Sequence, residues 1–376
     1  MRPAQVGRAP FGLIALFSLS TLAGLIGRGI KGGWWLNDFD AVACAAWRVA
    51  HHLPLYAEGL SCPGGRPAAY VYLPQLAWAL SPLASGPGIS TLRLVYGLAY
   101  AGLMAWMFWV LFLRPAPDAD PRDRAPILAM CKGSALSCGN IAGPCHAAVL
   151  TMGGAGWAMI PVILGVALIK PVYLTYLLIF AYAADPWRLR AAKLAMGLCG
   201  AGLAAVWVVV TGGPEIAAWR VALDSVVIGQ QTGVGFLDDV AHLGLRGGDL
   251  ATQTLWLVFA GLMSLSGLAI AEARQLGPQP RFLLALAVAQ LCNPRLMDYD
   301  LVLMAGGVAV VAGGEPQGRR AVVWVGIVCL TLSLAEQTAL AIRLGPALLA
   351  LLLLAAGVRA MSVRSGALGW PGQARP

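Results

Sequence analysis

Charge is what this sequence has least of. Only 11% of its 376 residues are Asp, Glu, Lys or Arg, where soluble domains carry about 25%, and that shortfall excludes an ordinary soluble enzyme. It has four histidines, His51, His52, His146 and His242, and none stands in an HExxH zinc-protease pattern. The GxSxG elbow and the GxxxxGKS/T phosphate loop are also missing, which removes α/β-hydrolases and P-loop pumps. Eight cysteines include no CxxC pair, and no acidic cluster has convincing ligand spacing, so neither a structural zinc site nor another metal is expected. The net charge is +9, yet the basic residues are scattered. No Lys/Arg run interleaved with aromatics builds a groove for nucleic acid.

Apolar residues are what the chain has in excess, at 59% with a mean hydropathy of +0.74. The gaps between charged residues show how they are arranged: 19 residues separate Arg8 from Arg28, 20 separate Arg93 from Arg114, 21 separate Lys193 from Glu215 and 22 separate Asp249 from Glu272. A bilayer-spanning helix needs roughly 20 apolar residues, so the composition predicts an all-α, polytopic membrane helical bundle. The 13 tryptophans fit membrane interfaces. Apolar runs are read at 11–27 (an uncleaved first helix), 71–86, 91–113, 126–150, 155–169, 171–184, 194–211, 250–271, 281–293, 300–313, 321–335 and 343–358. That makes about twelve full or half spans in a single membrane domain over 1–376, the shorter ones tilted, broken or shielded by protein.

Two long polar segments interrupt the pattern, at 28–70 and 212–249, and a tail follows at 359–376. With both chain ends cytoplasmic, the two segments are external loops, and every acid except Asp185, Glu272 and Glu315 falls outside. In the second loop Ile216, Trp219 and Leu223 recur at helical spacing beside Glu215 and Arg220, a pattern for a helix lying in the interface. Cys44 and Cys62 share the first loop, where a disulfide can form. Cys131, Cys138 and Cys145 recur every seven residues with His146 next in the chain, which places the cysteines on one helix face, favoured as small residues at a packing seam over a metal site.

Three places could carry chemistry. Asp38 and Asp40 follow a membrane helix and sit beside Trp34, Trp35 and Phe39, an apolar neighbourhood that suits a carboxylate acting as a base. Either could instead cap the helix that follows, the favoured role for Asp40. Lys170 has 37 uncharged residues before it and 14 after it. A lysine in lipid needs a water-filled cavity, an anionic partner or a route to the surface. Binding a phosphate and snorkelling are equally open readings, and Pro171 predicts a break between two short helices. The turn NPRLMDYDL at 293–301 sets Arg295, Asp298 and Asp300 between two apolar spans. Glu336, Arg343, Arg220 and Arg246 read as surface charges or ion pairs.

NDF at 37–39, LPLY at 53–56, YVYLP at 70–74 and SP at 81–82 together resemble the opening of glycosyltransferase family 87. GN at 139–140, IKP at 169–171 with PWRLR at 186–190, and NPRLMDYDLVL at 293–303 continue the likeness in order. The resemblance implies a GT-C type membrane enzyme that moves a hexose, mannose-like, from a polyprenyl-phosphate carrier to a hydroxyl of a glycan or glycolipid. It implies a bacterial inner membrane with the active site on the external face, Asp38 as catalytic base and Lys170 as a holder of the lipid phosphate. Arg295, Asp298, Asp300, Asp40, Tyr72 and Asn140 are the expected substrate-binding residues around them. A family histidine often stands where this chain has Met297, Asp298 and Tyr299, which leaves either acid to take its task. No cofactor is expected beyond the lipid-linked donor. Inversion at a glycosyl phosphate needs one carboxylate and cations for the departing phosphate, where glycoside hydrolases need paired acids. The competing expectations are a transporter or flippase for a lipid-linked or anionic solute with Lys170 as its binding charge, and a non-catalytic scaffold that kept the fold.

Overall fold

The structure is a computed structural model that describes residues 9–56, 60–86, 88–115, 119–228, 233–314 and 316–367. Glu315 and the end of the expected tail lie outside the described residues. Every element among them is helical. Among the described residues four helices are long and apolar enough to cross a bilayer, Ile89–Leu113, Trp187–Gly212, Leu250–Ala273 and Thr338–Ser362. The pair Phe11–Phe17 and Leu19–Ile30, bent by 48°, is either a broken fifth span or a re-entrant loop. The chain is thus a helical, membrane-embedded protein.

The remaining apolar runs, expected as full or half spans, are too short or not apolar enough to be counted as crossings. Trp187–Gly212 leaves Leu203 and Val210 about three-quarters exposed, surface that only lipid can cover. Pro278–Leu291 is buried without interruption from Pro280 to Leu291, so its apolar residues meet protein all round. It packs on Met304–Gly313, and a Cβ on Gly307 would run into the Leu283 carbonyl and the Ala287 methyl. A small residue there lets two helices meet backbone to backbone.

Two expected placements are corrected. The run at 71–86 is a short helix, Pro74–Ala84, which packs against Asn37–Ala50. Leu73 at its start clusters with Val208 and Ile216, and Ile89 beyond its end clusters with Ala43 and Cys44. Both ends therefore stay beside the first polar loop. Ile89–Leu113 then runs to the far end of the bundle, where Asp123, expected outside, lies 3.1 Å from Arg319, expected inside. Asp185 with Lys193, and Glu272 with Arg190 and Arg281, form the other ion pairs of that end.

The run at 126–150 is also broken, into 3-10 turns at Ala125–Met130, a single turn at Gly133–Leu136 and the helix Ala142–Met152. Cys131, Cys138 and Cys145 are buried, but they do not share one helix face. The amphipathic helix of the second loop forms at Glu215–Ala222. It rests on protein through Ile216, while Val221 is exposed and Trp219 Nε1 donates to the Val71 carbonyl at 3.1 Å.

Candidate functional site

The Asn37–Ala50 helix starts from Leu36, whose φ of 59° is left-handed. Its entry is pinned to a neighbouring turn: Leu36 N donates to the Ser137 carbonyl at 3.1 Å and Asp38 N to the Cys138 carbonyl at 3.0 Å. Gly139 follows with φ +69°, and a Cβ there would meet the Leu36 side chain at 2.6 Å. Glycine is needed both for the backbone angle and for the close approach. This turn presents Asn140 to Asp38.

The Asn140 amide joins the two residues singled out from sequence. Its Nδ2 donates to Asp38 Oδ2 at 2.6 Å, and its Oδ1 accepts from Lys170 Nζ at 2.9 Å. Asn37 Nδ2 donates to the other Asp38 oxygen at 3.0 Å. A neutral amide on each oxygen orients the carboxylate without neutralising its charge.

Lys170 reaches this point because the chain breaks where Pro171 predicts. Met159–Ile169 ends, Lys170 is extended with φ −134° and ψ 106°, and a 3-10 helix runs over Pro171–Leu177. Lys170 Nζ also donates to the Tyr299 hydroxyl at 3.0 Å and lies 4.9, 5.6 and 5.8 Å from the ring centres of Tyr299, Tyr72 and Tyr173. Aromatic faces attract a cation without cancelling it. Among the described residues no carboxylate is within ion-pair distance of this ammonium, so its partners are all neutral.

Three spaces meet here. A polar cavity of about 60 Å³ is bounded by Asp38, Asn140, Lys170, Tyr72, Arg295 and Tyr299. A mostly apolar one of about 140 Å³ shares Tyr72, Lys170 and Arg295 with it and adds Trp219, Leu223 and Asp300. Pro171 and Val172 then lead into a groove of about 530 Å³ between Trp187–Gly212 and Leu250–Ala273, lined by Leu194, Leu198, Trp256 and Leu257. Carboxylate, cation and apolar groove follow in that order.

The other expected site residues separate. Tyr72 lines both smaller cavities, and so does Arg295, whose backbone N–H donates to Asn293 Oδ1 at 3.0 Å. Asp300 is buried under the site, bonded to His146 at 2.6 Å and to the Met297 amide at 3.0 Å. Asp298 stands in the same turn outside both cavity linings. Burial pushes its carboxyl up to about 6, with the Asp300 charge adding to the rise and the Lys132 ammonium opposing it.

Asp40 neither caps its helix nor lines either of the two smaller cavities. It is fully buried, holds Arg93 through both oxygens at 2.8 and 2.5 Å, and accepts from Trp34 Nε1 at 2.7 Å and Arg66 N at 3.1 Å. The reason is charge pairing: the Arg93 guanidinium meets both oxygens at once, which the backbone N–H groups at the helix start do not match. The disulfide Cys44–Cys62 forms and ties the loop that carries Arg66 to the same helix. Tyr173, Tyr299 and Arg93 were not singled out from sequence, and His146 was noted beside the cysteine repeat and not as a neighbour of this site. Tyr299 lay inside the noted turn, whereas His146 is a lone histidine on an apolar helix, and Arg93 lies 53 positions from Asp40. Among the described residues no His, Cys, Asp and Glu group could hold a metal ion. The chain matches no protein-family model, no curated protein and no solved structure.

Proposed function

We propose that this protein is a membrane glycosyltransferase of the GT-C type, which takes a hexose from a polyprenyl-phosphate donor and gives it to an acceptor hydroxyl. The observation that carries the proposal is the Asp38–Asn140–Lys170 chain at the mouth of an apolar groove. Asp38 takes the acceptor's proton as its oxygen attacks the anomeric carbon. The bond from that carbon to the phosphate oxygen breaks with inversion, and Lys170, with Arg295 across the cavity, receives the charge of the leaving phosphate. Asn140 holds base and cation at a fixed separation, which favours one geometry of attack. The groove beyond Pro171 suits the isoprenoid tail, with Trp219 and Leu223 beside the headgroup end.

An external active site, in the face that carries the Cys44–Cys62 bridge, belongs to the same proposal, since disulfides persist in oxidising compartments. The test is Asp38→Asn in membranes supplied with labelled lipid donor. Transfer should fall by at least about 100-fold with unchanged expression. Unchanged turnover removes Asp38 from the mechanism. Movement of a lipid-linked solute across proteoliposomes with no covalent product would replace the enzyme by a carrier.

A further inference from the structure

Directly beneath the Lys170 cavity lies a buried polar chain that the transfer step does not use. His146, Asp300, Tyr173, Tyr176 and Gln290 are each at most 2% exposed. Gln290 Nε2 donates to the Tyr176 hydroxyl at 2.7 Å, which leaves that hydroxyl's own proton for His146 Nδ1, also at 2.7 Å. With Nδ1 accepting, the neutral ring carries its proton on Nε2, which faces Asp300 Oδ1 at 2.6 Å. The second Asp300 oxygen accepts from Met297 N at 3.0 Å, and Asp300 N donates to the Met297 carbonyl at 2.9 Å. The carboxylate therefore clamps the turn 297–300, and between the clamped residues stands Tyr299, the hydroxyl partner of Lys170.

We infer that His146 is a positioning residue for the anion site: by donating to Asp300 it fixes the turn that sets Tyr299, and with it the Lys170 ammonium. The inference rests on Lys170 being the phosphate-binding cation. A buried carboxylate that loses a donor must find another or take up a proton, and either change releases the turn. A polar cluster serving stability alone would have no preference for a charged ligand over a neutral one of the same length.

That difference gives the test. The full chain in nanodiscs is titrated with farnesyl phosphate and with farnesol. His146→Phe keeps a flat ring without a donor, and is expected to weaken farnesyl phosphate by about tenfold, one lost hydrogen bond to a charged group, with farnesol unaltered. His146→Gln retains an N–H near the Nε2 position and is expected within about twofold of the native protein, a few tenths of a kcal/mol. In turnover the phenylalanine variant raises the donor KM and also lowers kcat, because the displaced ammonium is the one that receives charge as the phosphate departs. Equal losses for both probes, or no loss for farnesyl phosphate, overturn the inference. Lys170→Met is the control: if it leaves farnesyl phosphate binding intact, the phosphate site itself is wrong; if it weakens binding and His146→Phe does not, only the positioning role fails. Should His146→Phe not fold, Tyr176→Phe removes the hydroxyl that fixes the tautomer; a selective loss for farnesyl phosphate supports the inference, and none overturns it.

Discussion

Replacing Asn140 with leucine, a residue of similar size, tests the link between base and cation most directly. Asn140 makes one hydrogen bond to the Asp38 carboxylate and one to the Lys170 ammonium. Bonds to charged groups contribute about 1.5–3 kcal/mol each. Both charges border a cavity that water can enter, so the lower end of that range applies to each. The sum, about 3 kcal/mol, corresponds to roughly a 150-fold loss in kcat/KM if both contacts are kept in the transition state. After the substitution Asp38 keeps the Asn37 amide and the Cys138 thiol, and Lys170 keeps the Tyr299 hydroxyl. The assay is transfer from a radiolabelled short-chain polyprenyl-phosphate sugar by the protein in nanodiscs, with folding checked by thermal denaturation. Asn140→Asp sharpens it, because an ionised carboxylate beside Asp38 cannot donate the hydrogen bond that the Asn140 amide supplies. Its activity should also collapse. Retention of more than about a third of native turnover by Asn140→Leu, under 1 kcal/mol of barrier, refutes the bridging role.

Three further outcomes follow from the same geometry. Asp298 binds a proton more tightly folded than unfolded, so its burial costs stability that is absent below the ordinary carboxylate range, near pH 4, and fully present above about 6; Asp298→Asn should raise the melting temperature at pH 7.5 and not at pH 4, by an amount worth at most about 2 kcal/mol once partial solvent access is allowed for. Asp40→Ala strands the Arg93 guanidinium and should cost about 3–5 kcal/mol, whereas Asp40→Leu combined with Arg93→Met should cost less; equal melting temperatures for both variants would remove the pair from the stability of the first loop. Reducing Cys44–Cys62 releases a loop closed over 18 positions and should destabilise the native protein by about 3 kcal/mol; dithiothreitol should lower its melting temperature and leave that of Cys44→Ser unchanged.

Much of the site could be read from the chain. Lys170 stood out because lipid penalises an isolated charge, and Pro171 marked the break that frees its side chain from a helix. Asp38 was visible as an acid placed at the end of a membrane helix. Asn140 came from a two-residue likeness, and nothing local indicated that its amide would touch both. Asp40 was misjudged as a cap because its partner, Arg93, belongs to a different helix. The regular spacing of Cys131, Cys138 and Cys145 suggested a continuous helix, yet the chain there bends twice. Asp300 and His146 meet across 154 positions, a separation at which sequence pattern is silent.

Composition and hydropathy by themselves determined that the chain is helical and embedded in a membrane. A backbone in hydrocarbon must satisfy its own N–H and C=O groups, and a helix does so within one segment. Which apolar runs face lipid was decided only by tertiary packing, since hydropathy measures how apolar a segment is and not what covers it. Trp187–Gly212 and Pro278–Leu291 are both apolar, but the first is left to lipid and the second is enclosed by protein. The same holds for charge: an acid and a base become a pair only when distant turns, here 137–140, 170–171 and 297–300, are carried to one place by the helices between them.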